Sequence, residues 1–120
     1  MTIRRAIPNL PVEDLAESRE FYAGFLGFDV AMDEVGFTMF ASPSNRTAQI
    51  TVADIHNPGQ DRGVSEAQIS VEVDDVDALH AEAVRRGLDI VYPLTDEPWG
   101  IRRFFVRAPD GTVINVAQHL

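Results

Sequence analysis

Val12-Glu13-Asp14-Leu15 followed by Gly27-Phe28-Asp29-Val30, and Val73-Asp74-Asp75-Val76 followed by Gly87-Leu88-Asp89-Ile90, are the runs that decide the fold. In each half an aspartate, Asp14 or Asp75, stands where a side chain can accept from the backbone N–H groups of a helix's first turn. Glu17, three residues beyond Asp14, completes a capping-box spacing. An amphipathic stretch follows each cap, with Leu15, Phe21, Tyr22, Phe25 and Leu26 on one face in the first half. Val76, Leu79, Ala83 and Val84 form the stripe in the second. Each stretch ends at a glycine, where a left-handed C-cap is expected. Val12 and Gly27 are 15 residues apart and Val73 and Gly87 are 14 apart, so the two halves keep the same interval to within one residue.

Working outward, each capped helix is preceded by one strand-like run and followed by three. The first strand is Ile3 to Leu10, with Pro8 and Pro11 marking an edge or a bulge. Runs 28–32, 37–41 and 47–53 follow the first helix, with Gly36 and the 42–45 stretch as turns. In the second half the preceding strand is Gln68 to Val73. Runs 89–93, 101–107 and 112–118 come after the helix, with Asp110-Gly111 as the last hairpin turn. A capped helix and a terminating glycine recurring in this order point to duplication. The expected class is α+β, with two tandem βαβββ modules at about 1–54 and 65–120 joined by a linker at 55–64.

At 120 residues the chain has the length of a single domain. It has no cysteine, which excludes a disulfide framework, a zinc knuckle and a thiol nucleophile. The opening residues contain no apolar run of signal-peptide length and no stretch approaches a membrane span. These features predict a soluble, cytoplasmic protein with no membrane partner. Acidic residues outnumber basic ones 19 to 10, for a net charge of -9, which argues against a nucleic-acid partner. The same charge keeps a small protein soluble and would draw in a cationic small molecule.

The runs Ala6-Ile7-Pro8-Asn9-Leu10-Pro11-Val12-Glu13-Asp14-Leu15, Phe21-Tyr22, Leu26-Gly27-Phe28 and Ala108-Pro109-Asp110-Gly111 resemble the vicinal oxygen chelate superfamily. That superfamily includes glyoxalase I, extradiol dioxygenases, fosfomycin resistance enzymes and bleomycin resistance proteins. The Pro-Asn-Leu-Pro opening, the acidic charge and Pro98-Trp99-Gly100 look most like the bleomycin resistance branch. The resemblance spans nearly the whole chain. It implies two βαβββ modules whose sheets curl into a cup, a homodimer, and, in metal-using members, ligands from the first and last strands of each module. One departure is Ala108, where the family's last turn more often has aspartate.

Side chains alternate faces along a strand, which sorts the residues available to such a cup. Ile69, Val71 and Val73 are expected under the helix, leaving Gln68, Ser70 and Glu72 for the cup. The repeat places Ile7 and Asn9 there from the first strand. Val113, Asn115 and Ala117, and Gln49 and Thr51, follow from the last and fourth strands. The family's ligand positions then fall on Ile7, Thr51 (or Gln49 in a shifted register), Gln68 and Asn115. Those four carry no histidine or carboxylate, so no metal or other cofactor is expected. His56 falls in the linker, His80 on a solvent face of the second helix and His119 at the terminus. Glu72 is the one candidate general base.

What remains is a small-molecule pocket lined by Asn9, Gln49, Thr51, Gln68, Ser70 and Asn115. Trp99 and Phe37 are its candidate aromatic walls, and Arg102 a charged contact. Two functions stay open. One is a metal-free binder sequestering a small aromatic or cationic compound of the bleomycin kind. The other is a glyoxalase-, dioxygenase- or isomerase-type enzyme with an unusual site.

Overall fold

The computed structural model describes residues 1–120. Its elements run β1 (Ile3–Val12), α1 (Leu15–Arg19), a π-helical turn (Glu20–Phe25), β2 (Asp29–Glu34), β3 (Phe37–Ala41) and β4 (Gln49–Asp54). They continue with α2 (Arg62–Ser65), β5 (Ile69–Val73), α3 (Val76–Arg85), β6 (Ile90–Glu97), β7 (Ile101–Arg107) and β8 (Val113–His119). The class is α+β and the βαβββ order occurs twice. Two compact units form, one from Ile7–Glu66 and the other from Met1–Ala6 with Ala67–Leu120.

The caps come from the expected residues. Asp14 accepts from the Glu17 N–H at 3.0 Å, and Asp75 from the Ala78 N–H at 3.0 Å. Gly27 and Gly87 take positive φ of 90° and 67°, the left-handed turn that stops each helix. At the other end of the chain the Ala108 turn closes normally. Ala108 N–H bonds the Thr112 carbonyl at 2.8 Å and Asp110 caps the Thr112 N–H at 3.0 Å.

In the unit formed by residues 7–66 the strand order is β2-β3-β4-β1, with β1 parallel to β4 and the other pairs antiparallel. The other unit repeats it as β6-β7-β8-β5, with β5 parallel to β8. The registers correspond. Asn9 pairs with Thr51 and Thr51 with Met39 in the first, while Ser70 pairs with Asn115 and Asn115 with Phe105 in the second. Duplication therefore holds at the level of single cross-strand rows.

One face of each sheet carries its helix. In the second unit Val73, Val76, Ala83, Phe104 and Val116 make the core between α3 and the sheet. Burying apolar side chains of this size stabilises by about 1.5–3 kcal/mol each. His80 belongs to this packing: its ring meets Phe104 edge-on at 5.0 Å, so it is half-buried and not on a solvent face. In the first unit Tyr22 lies over Phe40 at 5.3 Å.

The first helix departs from the expected single stripe. Leu26 N–H reaches back five residues to the Phe21 carbonyl at 3.0 Å, which widens the last turn into a π-helix. The extra residue per turn breaks the i, i+4 phase. Phe21, Phe25 and Leu26 are exposed as a result, Phe25 by 75%, and only Tyr22 of that group packs over a core ring.

The segment after β4 is more than a connector. Gly36 and Gly59 meet backbone to backbone, and a Cβ on either would fall inside the other segment. Asn9 Nδ2 donates to the Gly63 carbonyl at 3.1 Å, and α2 lies along β4. Strap 57–63 is thus held by the Gly36–Gly59 approach and by Asn9, and it leads into α2 against β4, on the face opposite α1.

Candidate functional site

The expected polar residues fall on the helix-free faces, as alternation requires, but most are already committed. In the first unit Asn9 is 5% exposed and holds the strap. Thr51 is buried, as are Ile7 and Phe37 on the same face. Gln49 donates from Nε2 to the Arg46 carbonyl at 2.8 Å, tying down its own turn. The strap engages Asn9 and the turn engages Gln49, two of the polar groups that sequence reasoning assigned to a ligand.

The helix-free face of the second unit differs. Gln68 is used locally, its Oε1 accepting from the Val113 N–H at 2.7 Å. Asn115 Nδ2 donates to Ser70 Oγ at 3.0 Å. Asn115 Oδ1, in contrast, is buried with no hydrogen-bond partner. Such an acceptor costs about 1–3 kcal/mol unless a bound group satisfies it.

One cross-strand row further along, Glu72 pairs with Ala117 and Ala117 with Arg103. Glu72 forms an ion pair with Arg5, and His119 Nε2 lies 3.9 Å from the same carboxylate. Glu72 is therefore a paired carboxylate with 18% side-chain exposure, not a lone solvated base. Arg103 is 1% exposed, and its Nη2 donates to Glu97 Oε2 at 2.5 Å. Tyr92 donates its hydroxyl to the other oxygen of Glu97 at 3.1 Å. The guanidinium lies 5.2 Å from the Phe105 ring centroid, 5.3 Å from Trp99 and 5.8 Å from Tyr92, within cation–π range of all three.

Arg102, the arginine singled out from sequence, lies elsewhere. Its neighbours in the β-pairing place it with Phe104 on the helix-bearing face, where it bonds Asp96 at 2.5 Å and Asp77 of α3 at 3.0 Å. Those carboxylates hold its charge firmly, raising its pKa. In turn the Arg102 hydrogen bond and charge pull the Asp96 carboxyl below the usual carboxylate range. Arg103, its neighbour in sequence, is the arginine that reaches the helix-free face. Its signal was the alternation set by Phe104: if Phe104 faces α3, Arg103 must face away.

A family metal would need donors at Ile7, Thr51, Gln68 and Asn115. Ile7 has no ligating atom, Gln68 Oε1 is occupied by a backbone N–H, and Thr51 and Asn115 offer only a neutral hydroxyl and a neutral amide oxygen. No cluster of three or more histidine, aspartate or glutamate side chains with metal-holding geometry occurs. First-row divalent ions favour imidazole or carboxylate, so these residues do not fit the group.

A family model described as the Glyoxalase/Bleomycin resistance protein/Dioxygenase superfamily matches residues 4–116. Bleomycin resistance proteins of Geobacillus stearothermophilus and Staphylococcus aureus are 29% identical over a 136-residue alignment covering 97% of each chain. Among solved structures, a glyoxalase/bleomycin resistance protein/dioxygenase superfamily member from Vibrio splendidus 12B01 superposes with a TM-score of 0.71 at 18% identity, covering 99% of this chain and 100% of the other. Streptomyces coelicolor methylmalonyl-CoA epimerase does so with 0.72 at 19% identity, covering 98% and 99%. These two likenesses bear on the fold alone.

Proposed function

The chain belongs to the glyoxalase/bleomycin resistance protein/dioxygenase superfamily, and from that premise we propose that it binds and sequesters a small drug-like or natural-product ligand without a metal. The observation that carries this reading is the buried, unsatisfied Asn115 Oδ1 beside an aromatic wall, in a set whose donors do not suit a divalent ion. A site of that composition can hold a molecule by shape and hydrogen bonding. It has no activated nucleophile, and its one candidate base, Glu72, is neutralised by Arg5. The ligand class follows the curated relatives: a compound of the bleomycin kind, with aromatic groups to stack on Trp99. Trp99 is 48% exposed and has Arg103 close to its ring, which supports a stacking role for its accessible side.

The proposal includes a homodimer. Phe21, Phe25 and Leu26, lifted outward by the π-turn, supply an apolar surface for a second copy. Sedimentation would report a species of twice the chain mass, converted to monomer by Phe25→Asp.

Trp99 is the single tryptophan of the chain, so its emission reports the site directly. Titrating bleomycin into the protein in the presence of a chelator should shift or quench that emission to saturation. A flat titration up to millimolar ligand would reject the reading.

A further inference from the structure

We propose that the second unit holds a subsite for an uncharged hydrogen-bond donor, floored by Ala117, with Asn115 Oδ1 as its acceptor. The inference deepens the binding role above and rests on it for the existence of a ligand, but not for the ligand's identity.

Ala117 is the one small side chain in its cross-strand row. Glu72 on β5 lies to one side of it and Arg103 on β7 to the other. Neighbouring strands are about 4.8 Å apart, so the two charged residues leave the sheet about 10 Å from one another. Between them the sheet presents only a methyl group. In the adjacent row Asn115 pairs with Phe105, which puts a buried amide and an aromatic ring beside that gap.

The charges around the gap cancel in pairs. Glu72 is matched by Arg5, and Glu97 by Arg103. An incoming cation would meet two guanidinium groups, and an incoming anion would meet two carboxylates together with the Asn115 carbonyl oxygen. On the Asn115 amide the unmet demand is for a proton on Oδ1, which is buried without a partner. A neutral N–H or O–H group, as in a carboxamide or a hydroxyl, answers it. The overall charge of -9 would draw cations towards the molecule, but this subsite has no net charge with which to hold one.

Four probes of one shape separate the possibilities: benzamide, N,N-dimethylbenzamide, benzamidinium and benzoate. Binding would be followed by Trp99 emission and by protein-observed NMR shifts of the Asn115 side-chain amide. Benzamide should bind at least about tenfold more tightly than the other three, because only it brings a neutral donor. Ala117→Val, which fills the floor, should remove that preference while leaving the thermal midpoint close to wild type. Equal or tighter binding of benzamidinium, benzoate or the dimethyl amide would overturn the proposal, as would failure of all four to bind. If bleomycin binds while the benzamide preference is absent, the subsite fails and the binding role stands. If bleomycin also fails to bind, both fail.

Discussion

Arg103 and Glu97 form an ion pair at 2.5 Å with 2% and 9% of their side chains exposed, and three aromatic rings surround the guanidinium. Taking two charges out of water is costly, and the pair holds only while both members are present. Glu97→Gln should destabilise the protein by about 3 kcal/mol, read as a lower urea midpoint. The double change Glu97→Leu with Arg103→Met should recover most of that loss, because it removes both buried charges. A single variant as stable as wild type would mean that water reaches the pair.

Gly36 and Gly59 should tolerate no side chain. Both have positive φ, 92° and 78°, and each backbone occupies the space the other's Cβ would need. Gly36→Ala or Gly59→Ala should cost more than about 2 kcal/mol, since the left-handed penalty of about 1–2 kcal/mol is joined by a clash. Gly111→Ala is the control: φ is 93° but nothing lies near its Cβ position, so only the conformational penalty applies. Amide exchange should also quicken in residues 57–63 of the Gly59 variant and not in the Gly111 variant.

Several surface carboxylates titrate below their ordinary range. Asp96 is held down by Arg102, Asp33 by Arg19 and Thr38, and Asp110 by the Thr112 backbone N–H. A depressed folded-state pKa means the ionised form is favoured by folding. That contribution is complete above the unfolded value of about 4 and is lost as pH falls through the folded value. The melting temperature should therefore stay level between pH 8 and 5 as far as these groups are concerned, then drop below about pH 4. Asp96→Asn should make the drop shallower. Because these groups are exposed, the effect should also shrink in high salt.

Trp99 and Arg102 should behave oppositely despite being near in sequence. Trp99→Ala removes the exposed aromatic wall and should weaken ligand binding at least about tenfold, as loss of one stacking contact implies. Arg102→Ala breaks exposed ion pairs on the helix-bearing face and should leave binding within about twofold. Calorimetry on both variants checks this. Loss of binding in Arg102→Ala would put the site on the wrong face.

Much of the architecture was legible because it is written in local chemistry. Asp14, Asp75, Gly27 and Gly87 mark helix ends through backbone requirements that hold wherever a helix stops. The repeat then carried register: matching Asn9 with Ser70 anticipates that Thr51 and Asn115 occupy equivalent rows. The π-turn was not legible, because one extra residue in a turn leaves no mark on composition, and it moved Phe21 and Phe25 to the surface. Nor was the strap. Its anchor is a contact between Gly36 and Gly59, and nothing in a turn glycine announces a partner 23 positions along the chain. The site itself was half legible. Alternation found Asn115 and Ser70, but which polar atoms stay unsatisfied depends on partners such as the Val113 N–H and the Gly63 carbonyl, which no pattern specifies.

The central claim is binding without a metal and without turnover. Isothermal titration of metal-stripped protein with metal-free bleomycin, in a chelating buffer, tests it in one experiment. The account predicts saturable heat with each injection returning to baseline. Heat absent in chelator but restored by a divalent ion, or a sustained heat flow after injection that signals turnover, would contradict it.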